Sequence, residues 1–256
     1  MIEKKTPAEI EKMAEVGQIV ASALLKMEEV AKVGVYPSEL DQVAREILIA
    51  AGATSPFLNY HPSWAPCPFP ATVCISVNDA IVHGVPGSEA LQAGDVVSLD
   101  FGAVLNGWCG DSARTFIVGT PKSEADAQLV AATKEALDAG IAAAVIGNTL
   151  GDIGHAVAKV ARKHRFGILE DHGGHGIGPQ MHMDPFVPNE GRKGKGMKLT
   201  EGLVLAIEPM FIADGKGTYL EDEDGWTLRS VKGANAAHWE HTVAITADGP
   251  RILTTI

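Results

Sequence analysis

Cysteine and aromatic residues are scarce in this chain. Its 256 residues include three cysteines, Cys67, Cys74 and Cys109, and only 5% are phenylalanine, tryptophan or tyrosine. An odd number of cysteines without the paired spacing of a zinc knuckle argues against a disulfide framework and against a structural zinc site. We therefore expect reduced thiols in a protein of the cytoplasm.

Long uncharged apolar runs and an excess of positive charge are also missing. The first 30 residues begin Met-Ile-Glu-Lys-Lys and continue as an amphipathic pattern, without the apolar core of a secretory signal. No uncharged stretch is long enough to span a bilayer, so we expect no membrane association. The formal net charge of −11 disfavours binding to nucleic acid, and we interpret the basic, glycine-rich segment 192–198 as solvated.

The spacing of apolar residues predicts an α+β fold. A capping box at Thr6, with Pro7 as the first helical residue, starts a helix that is expected to end near Gly34. Ser38 is expected to cap a second helix that stops at Gly52. Further helices are predicted over 123–146 and 149–165, and strands over 72–77, 96–105, 108–118, 203–207 and 241–246.

An internal echo links the two halves of the chain. One Leu-x-x-Gly sequence ends at Gly94, six residues before Asp100, and another ends at Gly202, six residues before Glu208. Each acidic residue ends an apolar run that is typical of a strand. The echo predicts two similar halves whose acidic residues meet at a shared axis.

The dipeptide Asn106-Gly107 predicts a tight hairpin, and the hairpin places two acidic residues. With these two residues as the turn, Asp111 lies opposite Gly102 and Asp100 lies opposite Ala113. Alternation along each strand then puts both aspartates on one face as diagonal neighbours, with Cα atoms roughly 7 to 8 Å apart. Both side chains can therefore reach a single site.

Acidic residues in such apolar surroundings require compensation. Two ionised carboxylates buried side by side repel each other, unless a proton, a basic partner or a metal ion is close. Glu208 and Glu240 add two acids at strand positions, and the segment 172–178 adds histidines. This composition is typical of a two-metal hydrolytic site. An alternative at this point is that Arg114 pairs with Asp111.

At these residues the sequence resembles the methionine aminopeptidases, and the match covers nearly the whole chain. Segments that correspond in order to the motifs of that family are 76–86, 94–100, 110–116, 174–178, 206–210 and 239–243. The resemblance implies a single catalytic domain over residues 1–256 with the "pita-bread" fold. In that fold two pseudo-symmetric halves place antiparallel sheet at the centre and helices outside.

The resemblance also implies a dinuclear metal centre. The five ligands of the family fall on Asp100, Asp111, His175, Glu208 and Glu240, with Asp111 and Glu240 bridging both ions. Two divalent ions, of cobalt, manganese, iron, zinc or nickel, would lower the pKa of a shared water until it attacks as hydroxide. Glu208 is also the general base that the resemblance implies.

Substrate-contacting residues follow from the same resemblance. His182 corresponds to a histidine that hydrogen-bonds the developing oxyanion, and His83 to one that contacts the substrate backbone. The methionine pocket corresponds to Tyr60, Cys74, His83, Met181 and Trp226, which are soft or aromatic surfaces suited to a thioether. The segment 62–70 is longer than in the simplest bacterial members.

The resemblance implies removal of the initiator methionine from nascent polypeptides when the second residue is small. We expect a monomer that could associate with the ribosome. Prolidases and proline aminopeptidases share the fold but usually carry an additional N-terminal domain. Only 31 residues separate Glu208 from Glu240, which leaves no room for the helical insert of type II enzymes. A catalytically inactive binding module on the same fold is the third alternative.

Overall fold

Pairs of helices precede sheet in each half of the chain. This computed structural model describes residues 2–256, and in that range the helices are α1 (Pro7–Val30), α2 (Pro37–Ala51), α3 (Glu124–Ala143) and α4 (Leu150–His164). The strands of the first half are β1 (Cys74–Val77), β2 (Ala80–Val82), β3 (Val96–Leu105) and β4 (Trp108–Ile117). Those of the second half are β5 (Gly167–Ile168), β6 (Gly173–Gly176), β7 (Met183–Pro188), β8 (Val204–Ile207), β9 (Met210–Ile212), β10 (Tyr219–Glu221), β11 (Leu228–Ser230), β12 (Ala236–His238), β13 (His241–Thr246) and β14 (Gly249–Ile252).

The first helix begins where the sequence predicts and ends earlier. The Glu9 carboxylate accepts a hydrogen bond from the Thr6 amide at 2.7 Å, and the Thr6 hydroxyl accepts one from the Glu9 amide at 3.4 Å. These two bonds confirm the capping box. The helix ends at Val30 rather than near Gly34, because the Gly34 amide is used elsewhere and donates to the Leu91 carbonyl at 2.8 Å.

The start of the second helix differs from the prediction by one position. Pro37 is its first residue and Tyr36 is the cap, so Ser38 lies inside the helix and the predicted cap is wrong. Proline is favoured at the first helical position because its φ is already suitable and its missing N–H would have no helical partner there. The Glu39 carboxylate accepts a hydrogen bond from the Tyr36 amide at 2.8 Å. The predicted stop at Gly52, with φ of 64°, is confirmed.

The predicted hairpin and its register are confirmed. In the β3–β4 pair, Asp100 lies opposite Ala113 and Gly102 lies opposite Asp111. The turn dipeptide Asn106-Gly107 has φ values of 52° and 80°, as a type I′ turn requires. Alternation therefore brings the two aspartates to one face of the sheet.

The internal echo also has a structural counterpart. Gly94 and Gly202 have φ values of 80° and 86°, a left-handed conformation that favours glycine. The Gly94 amide donates to the Val118 carbonyl at 2.7 Å, and the Gly202 amide donates to the Ile245 carbonyl at 3.0 Å. In each half this bond ties the entry of an acid-bearing strand to the strand beside it.

The two halves meet along a seam between β4 and the segment leading into β13. The Glu240 amide donates to the Ala113 carbonyl at 2.9 Å, and the Ala113 amide donates back at 3.4 Å. The Thr242 hydroxyl accepts from the Asp111 amide at 3.1 Å and donates to the Asp111 carbonyl at 2.7 Å. Hydrogen bonds at Ala113 and at Asp111 therefore join the two halves at neighbouring positions of β4.

Helices cover the outside of the sheets. One buried cluster joins α1 and α2 to β1 and β3 through residues such as Met27, Leu40 and Phe101, and another joins α3 and α4 to β8 and β13 through residues such as Leu137 and Leu205. The sheets have the strand orders β1-β3-β4, β10-β11-β2, β12-β9-β5 and β14-β13-β8-β6-β7, and their pairs are antiparallel. This is the α+β pita-bread architecture. Across residues 2–256 no helix combines the length and apolar character that a bilayer-spanning helix needs.

Replacing Gly17 by alanine should destabilise the fold. A Cβ at Gly17 of α1 would overlap the carbonyl group of Leu253, so backbone would have to shift. Overpacking of this kind costs about 1–3 kcal/mol, although glycine to alanine inside a helix normally gains up to about 1 kcal/mol. We expect thermal denaturation to show a lower Tm for Gly17→Ala. Ser22→Ala, on an exposed position of α1, is the control and should leave the Tm unchanged or slightly raised.

Candidate metal centre

Four carboxylates, two from each half, converge beside the seam. Asp100 lies within β3 and Asp111 within β4, while Glu208 directly follows β8 and Glu240 directly precedes β13. Asp111 and Glu240 are only 3% and 1% exposed. The predicted meeting of acidic residues from the two halves is therefore present.

His175, on β6, completes this group. Its Nε2 lies 3.8 Å from Asp111 Oδ2 and 3.6 Å from Glu208 Oε1. Its Nδ1 lies 2.9 Å from the Gly176 carbonyl oxygen, which can only accept a hydrogen bond, so Nδ1 carries the proton. The lone pair of Nε2 is consequently free on the side of the carboxylates.

Burial makes negative charge in this group costly. It raises the pKa of Asp100 to about 7 and that of Glu208 to about 8. Burial first, and repulsion by the neighbouring carboxylates second, raises the pKa values of Asp111 and Glu240 well above their usual range. One oxygen each of Asp100, Asp111 and Glu240 is buried without a hydrogen-bond partner. The cluster therefore lacks the compensation that its charge requires.

A divalent cation fits this arrangement. Within residues 2–256 no lysine or arginine lines the cavity that holds the carboxylates. Arg114 instead pairs with Glu28, at 2.7 Å between Nε and Oε2, so the alternative pairing with Asp111 is wrong. Asp111, His175 and Glu240 each offer a ligand atom within 4.8 Å of the others, as do Glu208, His238 and Glu240. Oxygen donors with imidazole suit first-row divalent metals.

The carboxylates open onto a cavity of about 300 Å³. All the predicted site residues except Met181 line it. The lining residues are Phe57, Tyr60, Trp64, Phe69, Cys74, His83, Asp100, Asp111, His172, Gly173, His175, His182, Glu208, Met210, Trp226 and Glu240.

Met181 does not itself line the cavity but packs directly behind residues that do. It is 8% exposed and belongs to the same buried cluster as Phe69, Cys74 and Trp226. Its methyl group lies against β3 at Gly102, where a Cβ would overlap it. The next residue, His182, lines the cavity itself.

Aromatic rings form the apolar part of the cavity around Trp226. The rings of Trp64 and Phe69 each lie edge-on to Trp226 with centroids 5.2 Å apart, and the Tyr60 ring lies 6.3 Å away. The Trp226 indole donates from Nε1 to the Cys67 carbonyl at 3.0 Å, which fixes the ring. Trp64 and Phe69 belong to the long segment 62–70, and their role as pocket residues was not predicted.

His83 and His182 lie in the same cavity as neutral imidazoles. Burial lowers the pKa of His83 to about 3 and also lowers the pKa of His182. The His182 ring lies 4.6 Å from that of His175 and 5.7 Å from that of Tyr60, centroid to centroid. A neutral imidazole can donate one hydrogen bond and accept another. Both side chains can therefore contact a peptide group in the cavity.

His238, at the end of β12, was not predicted as a site residue. It is 2% exposed, and its Nε2 lies 3.4 Å from Glu208 Oε2 and 4.0 Å from Glu240 Oε2. The sequence did contain a signal, because a residue two positions before Glu240 in extended chain points to the same side.

Known proteins resemble the chain in both sequence and structure. A model of metallopeptidase family M24 matches residues 11–247. Methionine aminopeptidase 1 of Mycobacterium tuberculosis is 48% identical, over 99% of this chain and 95% of that protein. The crystal structure of a methionine aminopeptidase from Thermotoga maritima has a TM-score of 0.95 at 38% identity, and the match covers all of both chains. A prolidase from Pyrococcus furiosus has a TM-score of 0.78 at 23% identity, with 65% of that chain covered, and this likeness concerns the fold alone.

Proposed function

Because the chain belongs to metallopeptidase family M24, and within it to the methionine aminopeptidases, we propose that it removes the N-terminal methionine of nascent polypeptides whose second residue is small. The observation that carries the proposal is the convergence of four carboxylates and His175 in a cavity whose other lining residues are mostly aromatic residues and histidines. The first group suits metal-assisted hydrolysis, and the rings suit a thioether side chain.

The residues proposed to hold two divalent ions are Asp100, Asp111, His175, Glu208 and Glu240. Asp111 and Glu240 lie at the seam between the halves and would hold ions together with ligands from both sides of it. When bound, such ions supply a water of lowered pKa and polarise the carbonyl of the scissile peptide bond. Cobalt, manganese, iron, zinc and nickel all accept this set of ligands.

Three side chains are proposed to act on the substrate. Glu208 accepts the proton of the attacking water, since its carboxylate lines the cavity between His175 and His238. His182 donates a hydrogen bond to the oxyanion that develops on the carbonyl. His83 contacts the backbone of the substrate and so fixes its register.

The pocket for the methionine side chain is proposed around Trp226. Tyr60, Trp64 and Phe69 surround this indole, and Cys74 lines the same cavity. Aromatic faces and a thiol offer the polarisable contacts that a thioether favours. Met181 packs in the same buried cluster as Cys74 and Trp226, and its contact with the methionine side chain stays a prediction.

We propose that residues 1–256 act as one catalytic domain, since ligands from both halves are needed for one centre. The three cysteines are free thiols, which agrees with a reducing cytoplasm. A monomeric state and association with the ribosome stay predictions for sedimentation and ribosome-binding measurements.

Hydrolysis of a peptide panel tests the proposed activity. Metal-loaded protein should cleave Met-Gly, Met-Ala and Met-Ser peptides and should turn over Met-Leu and Met-Phe peptides at least about tenfold more slowly, because a large second side chain would clash in a site that accepts only small ones. Leu-Gly and Ala-Gly peptides should be poor substrates, and chelated protein is the negative control.

The same panel separates the alternatives. Comparable turnover of Met-Gly and X-Pro peptides would identify a prolidase or proline aminopeptidase, and no turnover by protein with full metal content would identify an inactive binding module. The presence of all five proposed ligands in one cavity argues against the inactive module.

A further inference from the structure

We propose that His238 is also a metal ligand, so that the centre binds its ions with two imidazoles and not with His175 alone. The inference rests on the metal centre of the proposed function and adds a sixth protein ligand to it. The other five residues do not by themselves require this ligand, and the position of His238 is what favours it.

Glu208 lies between two imidazoles. His175 Nε2 is 3.6 Å from one carboxylate oxygen, Oε1, and His238 Nε2 is 3.4 Å from the other, Oε2. His238 Nε2 is also 4.0 Å from Glu240 Oε2, close to the 3.8 Å that separates His175 Nε2 from Asp111 Oδ2. The Nε2 atom of His238 therefore lies at nearly the same distances from two carboxylate oxygens as the Nε2 atom of His175.

The two imidazoles fall into separate candidate groups that share one carboxylate. Asp111, His175 and Glu240 form one group, and Glu208, His238 and Glu240 form the other. Ligands at about 2.0–2.2 Å from a tetrahedral metal lie roughly 3.3–3.6 Å from one another, so the distances to His238 need only small adjustments. Because Glu240 belongs to both groups, the arrangement suits two ions, one bound by the imidazole of His175 and the other by that of His238.

The Nε2 atom of His238 makes no hydrogen bond within residues 2–256 of the protein. This nitrogen is buried without a hydrogen-bond partner, and the residue is only 2% exposed. The backbone of His238 is fixed from both sides by Thr115, whose hydroxyl accepts from the amide at 2.9 Å and donates to the carbonyl at 2.6 Å. A histidine kept only for packing would normally satisfy its ring nitrogens, because an unpaired buried polar atom is costly.

A second imidazole has a consequence for metal choice. Nitrogen donors bind zinc, cobalt and nickel better relative to manganese than carboxylate oxygens do. Removing an imidazole ligand should therefore weaken the binding of zinc and cobalt more than the binding of manganese. If His238 only donated a hydrogen bond to Glu208, its removal should weaken the binding of zinc, cobalt and manganese to a similar extent.

Metal titrations of His238→Gln test the proposal, because glutamine keeps an N–H donor but loses the imidazole nitrogen. Calorimetry with Co²⁺, Zn²⁺ and Mn²⁺ should show Kd at one site raised by about 100-fold or more for cobalt and zinc and by about tenfold or less for manganese. The visible spectrum of the cobalt-loaded variant should differ from that of the parent protein. His164→Gln on α4, where the imidazole pairs with Glu135, is the control and should change neither readout.

The outcomes distinguish this inference from the function on which it rests. A parent protein that binds no metal would overturn both. A parent that binds two ions, together with a His238→Gln variant of equal affinity and unchanged cobalt spectrum, would overturn only the role of His238. A uniform loss across the three metals would also overturn it and would leave His238 as a hydrogen-bond donor. If circular dichroism shows that His238→Gln does not fold, the same titrations are made with His238→Asn, whose side chain is smaller.

Discussion

Replacing His175 by alanine should remove at least one metal ion and nearly all turnover together, and added metal should restore little activity. The expected loss follows from its position, since its Nδ1 is committed to the Gly176 carbonyl and its Nε2 faces Asp111 and Glu208. Alanine supplies no donor atom there and leaves the carboxylates to repel one another. Metal analysis of the purified protein and steady-state kinetics on a Met-Gly peptide measure both effects.

His182→Ala is the matched control, because the two imidazoles lie 4.6 Å apart in the same cavity. His182 is proposed to touch only the substrate, so its loss should leave metal content intact. The kcat should fall by about 10² to 10³, the usual cost of one oxyanion donor, with a smaller change in KM. Metal lost from His182→Ala, or full metal content in His175→Ala, would overturn these roles even with the family assignment intact.

Exhaustive chelation should abolish activity and lower the Tm, and the loss of stability should be larger at pH 8 than at pH 5.5. A ligand present at 100 times its Kd stabilises a protein by about 2.7 kcal/mol, which for a chain of this size corresponds to roughly 5 to 10 °C in Tm. The direction of the pH effect comes from the buried acids.

Burial raises the pKa of Asp100 to about 7 and that of Glu208 to about 8 in the folded chain, whereas both groups titrate near pH 4 when unfolded. Between these limits the folded, metal-free protein binds more protons than the unfolded chain. Its stability is therefore greatest below about pH 4 with respect to these groups and falls as the pH rises towards 8. Metal ions bind the deprotonated carboxylates, so their affinity rises over the same interval.

Differential scanning calorimetry of loaded, chelated and reloaded protein at the two pH values measures this. Reloading should restore the original Tm, which excludes damage by the chelator. His175→Ala should show a smaller difference between loaded and chelated samples. Equal melting temperatures with and without metal at both pH values would show that the four carboxylates do not share a bound cation.

Local signals in the sequence were sufficient for the hairpin and therefore for half of the acidic cluster. The Asn106-Gly107 turn fixed the register of β3 against β4, and the alternation of side chains then placed Asp100 and Asp111 on the same face. The two Leu-x-x-Gly sequences predicted the pseudo-symmetry for a similar reason, since Gly94 and Gly202 adopt a backbone conformation that favours glycine. Signals of this kind depend on neighbours in the chain and can be read without knowing the fold.

Features that depend on distant contacts were harder to predict. The short strands β6 and β7 carry no clear alternation, because glycines occupy most of β6 and prolines interrupt β7. Met181 was assigned to the pocket by correspondence, and spacing alone could not reveal that its methyl group lies against Gly102 of β3. The ring of Trp226 meets Trp64 and Phe69 across more than 150 residues of chain, so their common cavity could not be inferred from spacing.

The seam between the halves has a mechanical consequence. Asp111 and Glu240 belong to different halves, and each lies within the few residues that hold these halves together through backbone amides and the Thr242 hydroxyl. An ion bound by both carboxylates would act as a cross-link between the halves, so pulling the halves apart would require breaking coordinate bonds as well as hydrogen bonds. Loading the centre would then strengthen a seam that hydrogen bonds already close, and neither half expressed alone could hold the metal that the joined halves hold.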